Sequence, residues 1–374
     1  MDNMRSRGVS VPYGDDVGIL EAFERDGYCV VTGILSPQQV SAALDELWTN
    51  PRLLGNFDRN DALTWGHPSW PQQAGGRNFL ASSDVYQDKA SWDIQSNEKL
   101  LHVQQLLHRS PDIMMTGVGR WGVMRPTKHN PEWKTDSSWL HWDQNPWTEP
   151  DFCRVQAIVC LTDNTITSGG FACVPGFHRR FQKWGQDHPM GTLEVGGKVV
   201  NETYGAGQPF PVPLDDPIQK DVTRVTAPAG SAVIWDSRLP HQNFPNTDEH
   251  AFRVVHYTMM QFRDENTIAQ RKREYNQKRV LMDVMGKTGP RFPHHLSATG
   301  KFVHGLDEDR PELLEQSLKT CGVEDVSTFI EAAGLVREAG RLEEEGDVNG
   351  AIRKHQKSIA IFPEIEEWHQ VIFG

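Results

Sequence analysis

Of the fifteen histidines in the chain, one, His141, opens a His-x-Asp triplet, with Trp142 and Asp143 completing it. Imidazole and carboxylate together form a common ligand set for transition metals, so metal chemistry is sought here first. On a strand, positions i and i+2 share a face about 6–7 Å apart. His141 and Asp143 could then aim at one ion while Trp142 faces the other way. A lone His-x-Asp is a frequent chance match, and two ligands do not make a site. Two histidines and one carboxylate on one face of an iron ion would leave three positions open for a cosubstrate and O2. His241 is the candidate third ligand. It follows a predicted strand and turn (AGSAVIWDSRLPH), and twelve residues later Arg253 opens another predicted strand, FRVVHYT. A buried guanidinium pairs bidentately with a carboxylate, which is what anchoring the distal carboxylate of 2-oxoglutarate requires while its 2-oxo acid end chelates iron. An ordinary ion pair is the other meaning of Arg253.

The elements that must position these residues read as short strands. Arg154–Leu161 is apolar on both faces, and Gly170–Pro175, Gly230–Trp235 and Phe252–Phe262 follow, separated by turn residues without helical spacers. That texture predicts an all-β barrel or sandwich. Upstream, Asp16–Glu24 has the spacing of a short amphipathic helix ending at Gly27, and Tyr28–Thr32 that of a strand. Ser36-Pro37-Gln38-Gln39 supplies an N-cap, a proline at the first helical position and Gln at the third, so a second helix runs to about Trp48. Residues 50–83 are rich in Gly, Pro, Trp and Asn and suit irregular cover over a pocket. Trp65, His67 and Trp70 there serve either as packing or as a substrate wall. Residues 179–222 form a long Gly- and Pro-rich insertion, either a lid or plain surface.

HWD at 141–143, LTDNTITSGGFACVPGFHR at 161–179 and AGSAVIWDSRLPHQNFPNT at 229–247 stand in one order, with Arg253 beyond and FERDGYCVVTGILSPQQV at 23–40. Over roughly residues 20–262 the chain thereby resembles the phytanoyl-CoA dioxygenase family. The resemblance implies a double-stranded β-helix (jelly-roll, cupin-like) core, so a mainly β protein with flanking helices is expected; a C-terminal helical hairpin outside the family region is read from the repeat spacing there. It implies His141, Asp143 and His241 as iron ligands and Arg253 as the 2-oxoglutarate clamp. Two further positions are carried over into the cofactor site: Asn243, two residues after the distal histidine, and Trp121, in a segment that lines the cosubstrate pocket in relatives. His178, in the turn VPGFH, reads as structural. The cofactors so implied are Fe(II), 2-oxoglutarate and O2, and the reaction is hydroxylation of an aliphatic C–H of a small-molecule metabolite with release of succinate and CO2. Relatives that halogenate carry a small residue where this chain has Asp143, so a hydroxylase is expected. Two alternatives stay open: a metal-dependent jelly-roll enzyme that does not use 2-oxoglutarate, and a non-catalytic scaffold acting through the helical tail.

Length and composition set the outer bounds. The 374 residues suit an oxygenase domain over residues 1–300 with a helical appendage over 301–374. Counting Ala332 as the first position of a 34-residue tetratricopeptide unit puts Leu335, Ala339, Leu342, Gly346, Ala351, Ser358 and Pro363 near that repeat's small and apolar positions. A solitary unit cannot bury its own apolar face, so it is expected to pack on the barrel or to pair with a second copy of the chain. With 38 Lys and Arg against 50 Asp and Glu, the net charge of −12 gives no general attraction to nucleic acid or anionic membrane. No segment reaches the roughly 18 apolar residues of a membrane span, and the N-terminus lacks a signal peptide's apolar stretch, so a cytoplasmic location is expected. Five cysteines without a CxxC pair argue against a disulfide framework or structural zinc. The GxGxxG at Gly117–Gly122 precedes Pro126 and Pro131, which leaves no helix to receive a pyrophosphate. Gly286-Lys287-Thr288 lacks the earlier glycine of a P-loop, and the basic run Arg271–Arg279 reads as a solvated helical face.

Overall fold

The computed structural model describes residues 6–7, 10–71, 79–80, 88–116, 119–135, 139–195, 198–199, 201, 209–263, 297–304 and 325–365. The basic run 271–279, the Gly-Lys-Thr at 286–288, Gly117 and Cys321 lie outside them. The N-terminal part contributes β1 (Ser6–Arg7), β2 (Ser10–Pro12), α1 (Asp16–Asp26), β3 (Tyr28–Thr32), α2 (Pro37–Thr49), α3 (Lys89–Gln95) and α4 (Glu98–His108). The central part runs β4 (Ile113–Met115), β5 (Arg120–Met124), β6 (His141–Trp142), β7 (Arg154–Cys160), β8 (Gly170–Cys173), α5 (Phe181–Asp187), β9 (Glu194–Val195), β10 (Lys198–Val199) and β11 (Phe210–Pro211). Then come β12 (Thr223–Val225), β13 (Ala232–Asp236), β14 (His241–Phe244), β15 (Arg253–Phe262), α6 (Ala298–Val303), α7 (Val326–Glu344) and α8 (Val348–Ile361).

Two sheets form the body. The seven-stranded sheet runs β2-β3-β13-β7-β15, with β15 pairing β4 at one end and β5 at the other; the six-stranded sheet runs β1-β12-β8-β14-β6-β11. Within them, β5, β6, β7, β8, β12, β13, β14 and β15 wind between the sheets, giving antiparallel quartets β5-β15-β7-β13 and β12-β8-β14-β6. That winding is the double-stranded β-helix.

The larger sheet is buried on both faces, which is why its strands read as unbroken apolar runs. Val155, Ala157 and Val159 of β7 join Val31, Ile234 and Val254 in a core shared with Ile19, Leu47, Leu100 and Val103 of the helices. Their neighbours Ile158 and Cys160 point into a second core with Phe171, Trp235 and Val255, between the sheets. The N-terminal helices are set by the residues that predicted them. Ser36 and Gln39 form both bonds of a capping box on α2, and Gly27 ends α1 at φ 75°. A side chain at Gly27 would place its Cβ 2.4 Å from His178 Nδ1, so that glycine lets α1 seat directly on the turn holding His178.

Two readings that the sequence leaves open are narrowed by the structure. The described parts of the 179–222 segment include regular structure: Trp184 of α5 packs on Trp142 at 4.6 Å, and β11 extends the smaller sheet by pairing Phe210 with Trp142 and Pro211 with His141. Trp65 and Trp70 are buried around Phe252 and the Arg125 guanidinium rather than on a pocket wall. Gly119–Gly122 lies against and within strand β5, with no helix after it. At the C-terminus α7 and α8 form the expected hairpin, closed by Phe329 against Phe362 and by Lys354 bonded to Glu338. No helix among the described residues is long and apolar enough to cross a membrane.

Candidate metal centre

His141 and His241 sit directly opposite each other on the adjacent antiparallel strands β6 and β14. Their ring centroids are 4.5 Å apart. Strand β6 is shorter than the sequence suggests: it ends at Trp142, and a bend, not strand periodicity, carries Asp143 to its place. The Asp143 carboxylate spans the two rings, Oδ1 3.4 Å from His141 Nε2 and Oδ2 3.4 Å from His241 Nε2. One ligand atom from each of the three residues lies within 4.8 Å of the others.

The hydrogen bonds behind these rings determine what they offer. His141 Nδ1 lies 3.1 Å from the Trp139 carbonyl and His241 Nδ1 3.0 Å from the Leu239 carbonyl. A carbonyl only accepts, so Nδ1 donates and each neutral ring presents its Nε2 lone pair forward. Two lone pairs and a carboxylate converging without a proton between them repel one another unless a cation joins them, so the donor set fits a divalent metal. Desolvation pushes the Asp143 carboxyl up, but positive charge on the side of His141 and His241, whether an imidazolium proton or a metal ion, outweighs it and holds the group well below the ordinary carboxylate value. His241 is lowered by burial and then by repulsion from His141, with Asp143 pulling the other way. Gln156 on β7 donates from Nε2 to Asp143 Oδ2 at 2.8 Å and fixes the carboxylate's orientation.

The triad opens on a cavity of about 540 Å3 whose walls include Phe79, Trp139, Phe171, Trp235 and Tyr257. His141 stacks on Trp139 at 4.6 Å, and His241 lies against Phe171 and Trp235. Asn243 lines the cavity beyond His241, its Nδ2 3.1 Å from the Tyr257 hydroxyl. Arg253 is fully buried behind that layer: Nε donates to Asn164 Oδ1 at 2.6 Å and Nη1 to the Tyr257 hydroxyl at 3.2 Å, while Nη2 is enclosed without a partner. Among the described residues no carboxylate lies within 4.0 Å of it, so the ordinary ion pair is not what holds Arg253. A buried cation with an orphaned N–H fits a carboxylate supplied by a ligand.

Trp121 is not brought to this cavity. Register pairs it with His256, whose side chain faces the helices, and its indole N–H donates to Asp88 at 2.8 Å. Arg120, one residue away and therefore on the other face, lines the cavity instead. Sequence reading also passed over Gln156, Arg154 and Tyr257, all on the cavity wall. The available signal was the pair of polar residues two apart inside the otherwise apolar RVQAIVC.

The profile of the phytanoyl-CoA dioxygenase (PhyH) family matches residues 23–255. A Dictyostelium discoideum protein assigned provisionally as a phytanoyl-CoA dioxygenase is 23% identical over 265 residues, 60% of this chain and 70% of its own length. An ectoine dioxygenase from Bordetella bronchiseptica is 24% identical over 233 residues, 61% of this chain and 69% of its own length. Among solved structures, the epimerase SnoN in complex with Fe3+, alpha ketoglutarate and nogalamycin RO aligns over 66% of this chain and 83% of its own, at 16% identity and a TM-score of 0.42. The matched span takes in more than half of the sequence, with His141, Asp143, His241 and Arg253 inside it, and the chain belongs to the phytanoyl-CoA dioxygenase family.

Proposed function

We propose that this protein is a non-haem Fe(II) oxygenase that consumes 2-oxoglutarate and O2 and hydroxylates an aliphatic C–H of a small-molecule metabolite. The observation that carries the reading is a pair of features in one barrel: three convergent metal donors and, behind Tyr257, a buried arginine with an unsatisfied N–H. His141 Nε2, the Asp143 carboxylate and His241 Nε2 would hold the metal, and Arg253 would take the distal carboxylate of 2-oxoglutarate beside Asn243 and Tyr257. When bound, iron with 2-oxoglutarate and O2 supplies the oxidant for C–H cleavage, with succinate and CO2 as the coproducts. The chain's own share is orientation and exclusion of water: the carbonyls of Trp139 and Leu239 fix the imidazole tautomers, Gln156 fixes Asp143, and the aromatic walls keep the open metal face dry. A carboxylate at 143, where halogenating relatives have a small residue, supports hydroxylation. We assign this work to residues 1–300 and treat 301–374 as an appendage.

The test is anaerobic Fe(II) titration with and without 2-oxoglutarate, following the weak metal-to-ligand charge-transfer absorption of the chelate. Its appearance in wild type and not in His141→Ala supports the reading; its absence under iron-replete conditions sinks it. One observation favours a metal enzyme that dispenses with 2-oxoglutarate: Tyr257 and Asn243 stand between Arg253 and the cavity. An Arg253→Ala variant with unchanged turnover would establish that second reading.

A further inference from the structure

We infer that the substrate is an organic anion with an apolar body, its charged group met by Arg154 at the end of the cavity away from Arg253, with Arg120 adding positive charge at the rim. This rests on the oxygenase reading above and names its substrate class. The cavity-facing side of β15 runs Arg253, Val255, Tyr257, Met259, Gln261, and Gln261 pairs with Arg154. Arg253 and Gln261 are eight residues apart, roughly 26 Å along an extended strand. Gln156, bonded to Asp143, pairs with Met259, so the triad lies between the two arginines. With 2-oxoglutarate at the Arg253 end, the Arg154 end is left to the substrate.

Arg154 is 2% exposed and lines the cavity. Its hydrogen bonds to described residues run through Nη2, to Glu149 Oε2 at 3.0 Å and the Asp143 carbonyl at 3.4 Å, while its Nε is enclosed without an acceptor. Buried N–H groups are rarely left unmade, and a ligand carboxylate is the strongest acceptor for a guanidinium edge. Charge accounting points the same way. Glu149 balances Arg154, and a divalent metal together with Arg253 would balance Asp143 and the two carboxylates of 2-oxoglutarate. Arg120 lines the cavity with no carboxylate within ion-pair distance among the described residues; its neighbour is the Phe79 ring at 5.6 Å. One positive charge is thus left facing the substrate space in a chain whose net charge is −12. Trp139, Trp235 and Phe171 supply the apolar wall for the rest of the molecule.

The experiment uses the full chain, anaerobic and loaded with Fe(II) and saturating 2-oxoglutarate, and two probes of one shape: 3-phenylpropanoate and 3-phenylpropanamide. Tryptophan quenching reports probe binding, and the charge-transfer absorption reports the chelate in the same cuvette. The carboxylate is expected to bind at least about tenfold more tightly than the amide, the size of one charge-assisted contact. That preference is expected to vanish in Arg120→Gln and in the double variant Arg154→Gln/Glu149→Gln, which leaves no lone buried charge to unfold the protein. Equal binding of the two probes, no binding at millimolar concentration, or a preference that survives both variants overturns the inference while the chelate band stands. So does displacement of the probe by added 2-oxoglutarate, or loss of 2-oxoglutarate binding in Arg120→Gln, either of which would give the arginine to the cosubstrate. Absence of the band in wild type overturns the oxygenase reading itself.

Discussion

Along β15, Val254, His256 and Met260 face the helices, Tyr257 and Met259 line the cavity and Arg253 shares their side of the strand behind Tyr257, and the two sides treat polar atoms differently. On the helix side the buried titratable rings are neutral. Burial pushes His256 and His304 down to about 3 and His108 to about 4. His256 Nδ1 has no partner there, yet an orphaned neutral ring costs far less than an orphaned charge. On the cavity side the orphaned atoms include Nη2 of Arg253 and Nε of Arg154, both cationic groups. A fold can tolerate the first kind as a by-product of packing. The second kind costs far more, and beside a cavity it is what a ligand from outside the chain would complete.

The contrast is broken most directly by one substitution on each side. His241→Ala should abolish the iron-dependent charge-transfer band and lower turnover by roughly a thousandfold or more, about 4 kcal/mol in barrier, with little change in thermal midpoint. Trp121→Ala should do the reverse. Trp121 is fully buried between His256 and Asp88, so its loss should destabilise folding by about 3–5 kcal/mol and leave metal affinity per folded molecule unchanged. Titrations of both variants at a temperature where each is folded would separate the outcomes, and a metal defect in Trp121→Ala would defeat the division.

Acid should act through the helix side. Unfolded histidines bind protons as pH falls through 6.5, whereas buried His256, His304 and His108 refuse them until about 3 or 4. Stability should therefore fall between pH 7 and pH 5, by roughly 2 kcal/mol for each ring. Asp88 works in the opposite sense. Burial raises it from 3.8 to about 6, so the folded state gains a proton below pH 6 that the unfolded state does not, returning about 1 kcal/mol. Urea unfolding across that range should show the net loss, flattened by about one ring's share in His256→Leu. A flat profile in wild type would mean that these rings are charged when folded.

The same two-faced burial explains what could be read from the sequence. The convergent triad was legible because His141, Asp143 and His241 are chemically distinctive and their flanking motifs are ordered. Helix starts were legible because a capping box is local. Trp121 was placed on the wrong face because every residue of β5 after Arg120 is buried: RWGVM carries no polar alternation, so only pairing with β15 tells that Arg120 faces the cavity and Trp121 the helices. Gln156 was hidden in an apolar run for the same reason. The pairing of β11 with β6 was illegible because Phe210 and Pro211 lie 68 and 70 residues beyond Trp142 and His141, and two residues carry no periodicity.

Gln156 offers the finest test of the division, because Val155 and Ala157 beside it belong to the helix-facing core. Gln156 Nε2 holds Asp143 Oδ2 at 2.8 Å and lies 3.4 Å from the Ser237 hydroxyl. Leucine at 156 keeps much of the volume and removes the donor, so Asp143 loses the contact that aims its carboxylate. Outer partners of metal ligands typically change affinity by about 10–100-fold, and Gln156→Leu should weaken Fe(II) binding within that range. Its thermal midpoint should hold, since Asp143 is partly open to the cavity and water can replace the lost bond. The reverse outcome, a lowered midpoint with Fe(II) affinity intact, would mean that β7 uses Gln156 as it uses Val155, for packing, and the cavity side would lose its claim to a separate set of rules.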